Sequence, residues 1–172
     1  MPLLRRRIVG YSLFAAGILI LAGVLLAVLG IQFAWAFELS ALALAVAFGA
    51  IGLAEDGTMR LAFAGAAVGW VLVAATGFAT GEAGIFGTVG EFIAAVGGLV
   101  GGILVFRRGL FASTSSAIGR RADLVYLIAM IVTVLYLANT FRTFLPVIGY
   151  IILAAVWGLS IVASAILVLR RR

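Results

Sequence analysis

Six stretches of this chain, Ile8–Gly30, Phe37–Ala54, Leu61–Thr80, Ile85–Phe106, Ala122–Asn139 and Val147–Leu169, are apolar at almost every position. A bilayer core about 30 Å thick is crossed by roughly 20 helical residues rising about 1.5 Å each, and every stretch approaches or reaches that length. Their apolar residues run on without the in-and-out alternation of a spanning barrel strand, so each predicts a helix. Between them stand polar residues and helix breakers: Glu55-Asp56-Gly57-Thr58, Gly81-Glu82-Ala83-Gly84, a serine-rich segment at 113–116, and Pro146, whose fixed φ suits a first helical turn. The prediction is an all-α, polytopic integral membrane bundle of six transmembrane helices, a single domain over residues 1–172.

Composition excludes the alternative that these runs are core helices of a soluble domain. Apolar residues make up 66% of the chain and charged residues 10%, against about 45–50% and about 25% in soluble domains. Too few polar residues remain to coat a water-facing surface, so the apolar surface must face lipid.

Charge then orients the bundle. Six crossings return the chain to the side on which it began, placing Arg5, Arg6, Arg7, Arg60, Arg107, Arg108, Arg120, Arg121, Arg170, Arg171 and Arg172 together and leaving only Arg142 opposite. Loops that stay in the cytoplasm retain positive charge during insertion, so both ends are expected inside and the expected location is the cytoplasmic membrane, multi-pass. An odd number of spans would strand one arginine triplet outside. The arginines are topological anchors and the expected partners of anionic lipid at the cytoplasmic face, each worth about 1 kcal/mol beside such a surface. A net charge of +6 does not point to nucleic acid, because these arginines flank apolar runs and do not line a basic face with interleaved aromatics. The order of Arg5–Arg7, an apolar run and Ala34-Trp35-Ala36 resembles a secretory signal with its cleavage site. Ile8–Gly30 exceeds the roughly 7–15 residues of a signal core, however, so a span is expected.

Cysteine, histidine and lysine are all absent, which removes thiolate and lysine nucleophiles, imidazole bases, and the usual ligands of zinc and haem. Neither a metal nor a cofactor is expected, and no catalytic set is in view: paired carboxylates at glycosidase spacing, a phosphate loop with its lysine and a serine–histidine relay are missing. Ser12, Ser40, Thr76, Thr133, Ser160 and Ser164 fall within spans, where hydroxyls bond their own preceding turn or a neighbouring helix.

Helices in lipid associate by close packing at small residues. The fourth span offers Gly97/Gly101 and Gly98/Gly102, the third Gly65/Gly69, and the first Gly10/Gly17 and Gly23/Gly30. These are expected to serve contacts within the bundle or, alternatively, a homo-oligomer face. Trp70 and Trp157 lie mid-span, away from the interfaces where tryptophan anchors, and are expected to face protein. The stretches around them look alike, but an offset of 88 residues pairs Arg60 with Ile148 and Glu38 with Tyr126, so no repeat is sustained along the period.

One carboxylate lies well inside a span and not at its end. Glu91 is about 9 Å below the outer end of the fourth helix, whereas Glu55, Asp56 and Asp123 fall at the arginine side and Glu38 and Glu82 at outer ends. Such a carboxylate defaults to a functional hypothesis. Glu91, Asn139, Thr140 and Arg142 would form an outward vestibule for a small polar solute or cation; equally, Glu91 and Arg142 would form a structural ion pair. The connection "RRGLFASTSSAIGRR" carries an arginine pair at each end. It is expected to be a solvated connector with topological flanks; the alternatives are that it lies on anionic lipid, where phosphorylation at 113–116 would weaken its hold, or that it docks a partner.

These features predict a small non-catalytic membrane protein, an accessory or assembly subunit or a scaffold, with a membrane-protein partner or a second copy of itself. The alternative is a solute-binding transport component. Six spans in a chain of this length with both ends inside resemble in outline the substrate-capturing subunits of energy-coupling-factor vitamin transporters, a resemblance that implies an outer pocket and an alanine-rich docking face on the first helix. Ala15, Ala16 and Ala22 do not form such a stripe and the outer polar set is thin. Small six-span stress-response membrane proteins are similar at the same coarse level. Arginine as the sole long cation, with abundant alanine and glycine, points to a prokaryote with a GC-rich genome.

Overall fold

The computed structural model describes residues 3–31, 35–80, 84–109, 117–141 and 145–170, with the side chains of 3, 80, 117–120 and 141 set aside. Among these residues the chain forms six α-helices and no strand: α1 (Leu3–Val28), α2 (Ala36–Gly52), α3 (Gly57–Thr80), α4 (Ile85–Arg108), α5 (Ala117–Phe141) and α6 (Val147–Leu169). Five are long and apolar enough to cross a membrane. The sixth, α2, has 17 residues, about 25 Å at 1.5 Å per residue, which is the lower edge of spanning length.

Helix ends follow local chemistry. α4 closes at Gly109, left-handed at φ 67°, whose N–H reaches Val105 O at 2.8 Å, a conformation glycine adopts without a Cβ clash. α6 starts immediately after Pro146, which is extended at φ −63° and has no N–H to leave unsatisfied. α1 and α5 begin before their apolar runs: Leu3–Arg7 are all good helix formers, and in α5 Ala117, Arg120 and Arg121 carry the helix beyond the apolar window despite Gly119.

Each helix packs on its neighbours in sequence, and α6 closes back on α1. The result is a ring without backbone contact across it among the described residues. Facing glycines give the direction of each pair. A Cβ on Gly10 would strike the side chain of Leu169, and one on Gly17 would lie 2.9 Å from Gly158 O, so α1 and α6 run antiparallel. Gly69 faces Gly90 and Ala94, and Gly97 faces Ala62 and Ala66, so α3 and α4 do likewise. Successive antiparallel helices bring residues near 5, 55, 107, 121 and 170 to one end of the ring. All the arginines among the described residues lie there.

The glycine pairs divide between partners. Gly97 and Gly101 face α3, at Ala66 and the Phe63 ring, whereas Gly98 and Gly102 face Met130 of α5. Gly69 lies against α4 backbone, while a Cβ at Gly65 would meet nothing within 4 Å. Gly23 faces Ala36 of α2, and Gly30, at φ 73°, ends α1.

Inside the ring, large side chains take the place of a central helix. Phe48, Phe63 and Tyr126 cluster in the arginine half, with centroids 6.0 and 6.4 Å apart. Trp70 and Trp157, both fully buried, stack at 6.1 Å nearer the middle. Outside, residues along the helices such as Ile18, Val46, Val68, Phe92, Ile131 and Ile152 are exposed. Helices that are apolar on both faces require a surrounding apolar phase, as a multi-pass membrane protein provides.

Candidate functional site

The end of the ring opposite the arginines holds most of its interior polar atoms. Glu91 projects from the second turn of α4 and is 7% exposed. Its Oε2 accepts a hydrogen bond from the Thr140 hydroxyl at 3.1 Å, and that hydroxyl also lies 2.6 Å from Leu137 O, so one proton serves two acceptors. Asn139, next to Thr140 in sequence but about 100° around the helix, turns its Oδ1 to the Leu145 N–H at 3.1 Å and braces the chain as it enters α6. Glu91 and Thr140 are thus joined, whereas Asn139 bonds the connection. Arg142, the cation of both the vestibule and the ion-pair expectations, lies outside the described residues.

A second set, not anticipated from the sequence, lies deeper. The Tyr150 hydroxyl donates to the Tyr136 oxygen at 2.6 Å, with the rings stacked at 5.1 Å. Tyr136 stacks in turn on Trp157 at 4.4 Å. The Trp157 indole N–H donates to Thr133 Oγ1 at 2.8 Å, and that hydroxyl donates to Ala129 O at 2.7 Å. Glu91 is near enough to Tyr136 and Tyr150 for its charge to act on both hydroxyls. The only sequence cue was two tyrosines 14 residues apart on consecutive helices; pairing them requires the register of α5 on α6.

Beside this set opens a cleft of about 230 Å³ between the second half of α1, the first turn of α2 and the first half of α6. Its origin is local. Gly10, Gly17 and Gly158 let α1 and α6 touch at their arginine ends, and Leu21 still packs on Gly158. Beyond that level Gly23 turns to α2 instead, and α1 and α6 are separated by the cleft. Phe37, Tyr136, Tyr150 and Trp157 supply its aromatic wall; aliphatic residues and alanines supply the rest.

Two further buried atoms have no hydrogen-bond partner among the described residues: Trp70 Nε1 and Glu38 Oε2. Glu38 stands at the start of α2 against Gly77 of α3, where a Cβ would run into its carboxyl. The hydroxyls of Ser40, Thr76, Ser160 and Ser164 each donate to a carbonyl one turn back, at 2.7 to 2.8 Å, which leaves them poorly placed as nucleophiles.

At the other end, Arg5 Nη1 donates to Leu53 O at 3.0 Å, satisfying a carbonyl beyond the last turn of α2. Arg107 and Arg108 occupy the last turn of α4, where cations favour the helix dipole. Arg6, Arg7, Arg121 and Arg170 lie at the same end. Arg120 belongs to α5 without a described side chain, and Arg171 and Arg172 fall outside the described residues.

Comparison with protein-family models, curated proteins and solved structures yields no match to this chain.

Proposed function

We propose that this chain is a non-catalytic six-helix protein of the cytoplasmic membrane, with both ends in the cytoplasm, acting as an accessory or assembly subunit or as a scaffold. The observation that carries this reading is the division of polar groups in the ring. Guanidinium groups gather at one end, where anionic headgroups and loops of a partner are within reach, and the interior hydroxyls of Ser40, Thr133 and Ser164 are bonded to carbonyls while Tyr150 is bonded to Tyr136. Native mass spectrometry of the protein extracted in mild detergent tests it. A stoichiometric protein partner, or a second copy, supports the proposal; a monomer that retains only a small molecule overturns it.

The cleft favours a second reading, a binding component for a solute or membrane-dissolved molecule. Its position differs from the expected vestibule. It adjoins Tyr136 and Tyr150 on the α1–α6 side of the ring, and Glu91 contributes charge nearby without lining it. Retention of a small molecule, lost when the cleft is filled, would favour this reading.

A further inference from the structure

We infer that the cleft between α1 and α6 binds an uncharged planar ring of bicyclic size that carries a carbonyl oxygen, of the naphthoquinone type, held by the Tyr136–Tyr150 pair. This rests on the binding reading above and specifies its ligand. Size comes first. A dry apolar cavity of about 150 Å³ accommodates benzene; the cleft, at about 230 Å³, is roughly one and a half times larger and fits two fused rings.

Shape follows from the wall. Tyr136 is stacked between Tyr150 and Trp157 at 5.1 and 4.4 Å, and Phe37 closes on Trp157 at 6.2 Å. Flat faces of this kind pair best with another flat ring, in offset or edge-on contact. Charge is selected against, because the lining holds no ionisable group of opposite sign and burying an unpaired ion is costly.

The hydrogen-bond count supplies the carbonyl. Two tyrosine hydroxyls hold two protons, and the 2.6 Å bond from Tyr150 to Tyr136 uses one. Among the described residues the other makes no hydrogen bond. Whichever way the pair is oriented, one O–H remains at the cleft wall to donate to a ligand. A ring carbonyl is an acceptor that brings no proton of its own.

The ring could come from a free aromatic solute or from the head of a membrane-dissolved lipid, and the test separates these from an acyl chain. Trp157 lines the cleft and reports occupancy; Trp35, 62% exposed, is replaced by Phe to remove its background. In nanodiscs of unlabelled phosphatidylcholine, 2-methyl-1,4-naphthoquinone should quench the remaining fluorescence saturably. Either hydroxyl alone still leaves one O–H for the ligand, so the double change Tyr136→Phe with Tyr150→Phe, which keeps both rings, should raise Kd about three- to tenfold, the worth of one hydrogen bond. Ala27→Phe, at the exposed mouth, should raise it more than tenfold, with Val24→Phe as its alternative should the first not fold. A lower Kd for a quinone with a long isoprenoid tail than for 2-methyl-1,4-naphthoquinone, each read by the same quenching, would place the natural ring on a lipid; an equal or higher Kd would place it on a free solute. Quenching indifferent to the double change Tyr136→Phe with Tyr150→Phe and to Ala27→Phe overturns the inference. In nanodiscs with brominated acyl chains, quenching that the quinone does not relieve would show a lipid tail in the cleft, overturning the ring while leaving the binding reading intact. If neither agent quenches through the cleft, both fall.

Discussion

Gly65 and Gly69 stand one turn apart on α3 and look equivalent in the sequence, yet adding a methyl to each should have opposite effects. At Gly69 the new Cβ would lie 2.5 Å from Ala94 N and 2.6 Å from Gly90 O. Both are backbone atoms of α4, which cannot rotate away as a side chain would. Restoring a 3.4 Å contact from 2.5 Å requires the two helices to part by about 0.9 Å. A gap of roughly 0.5–1 Å forfeits a quarter to a half of each contact's dispersion energy along the seam, and overpacking of this kind costs about 1–3 kcal/mol. The gain in helix propensity on replacing glycine by alanine returns at most about 1 kcal/mol. Gly69→Ala should therefore destabilise the bundle by about 1–2 kcal/mol. Gly65→Ala, whose Cβ would meet nothing within 4 Å, keeps the propensity gain alone and should be neutral or stabilising by up to about 1 kcal/mol. Unfolding in dodecylmaltoside micelles titrated with sodium dodecyl sulfate, followed by tryptophan fluorescence, measures the difference, which should be about 1–3 kcal/mol. Equal costs at the two positions would refute the backbone seam between α3 and α4.

Thr133→Val removes the acceptor of the buried Trp157 N–H and should cost about 1–3 kcal/mol; adding Trp157→Phe should cost less than the sum of the two single changes, as a double-mutant cycle in the same titration would show. Thr140→Val strips Glu91 of its donor and should cost about 1–2 kcal/mol, whereas in the Glu91→Leu background the same change should be within about 0.5 kcal/mol of neutral. The chain has no cysteine, so single replacements report sidedness directly. In intact cells an impermeant maleimide should label Gly84→Cys and should not label Thr58→Cys; the reverse pattern would place the arginines outside.

Much of the fold is written in hydropathy, because a helix that faces lipid must be apolar over its whole length. α6 coincides with the expected span at both ends, and α4 begins at the expected Ile85. What hydropathy misses is where a helix continues through arginine, as at Leu3–Arg7 of α1 and Ala117–Arg121 of α5. The site was legible only where a residue broke the local pattern. Glu91 stood out as a carboxylate inside an apolar run, but Tyr136 and Tyr150 did not, since a tyrosine there reads as one more large apolar residue. Glycine spacing marked α4 as a packing helix without showing that its two pairs serve different partners. Gly17 against Gly158 joins opposite ends of the chain, a contact that exists only once the ring closes.

The two ends of the ring differ in how they are held, and that difference bears on what the cleft can do. Toward the arginines, α1 and α6 meet through Gly10, Gly17 and Gly158, and the interior carries Phe48, Phe63 and Tyr126. Toward the other end the same two helices are separated, and stacked rings with the tyrosine hydrogen bond replace direct backbone contact. Opening there breaks fewer close contacts, so that end is the lower in local stability. A molecule that fills the cleft adds contacts to the looser half alone, and at a concentration of one hundred times its Kd would stabilise the folded bundle by about 2.7 kcal/mol. Amide exchange should slow in 19–27 and 150–157 before it slows in 5–17, because protection would spread from the filled end toward a seam that glycine contacts already hold closed.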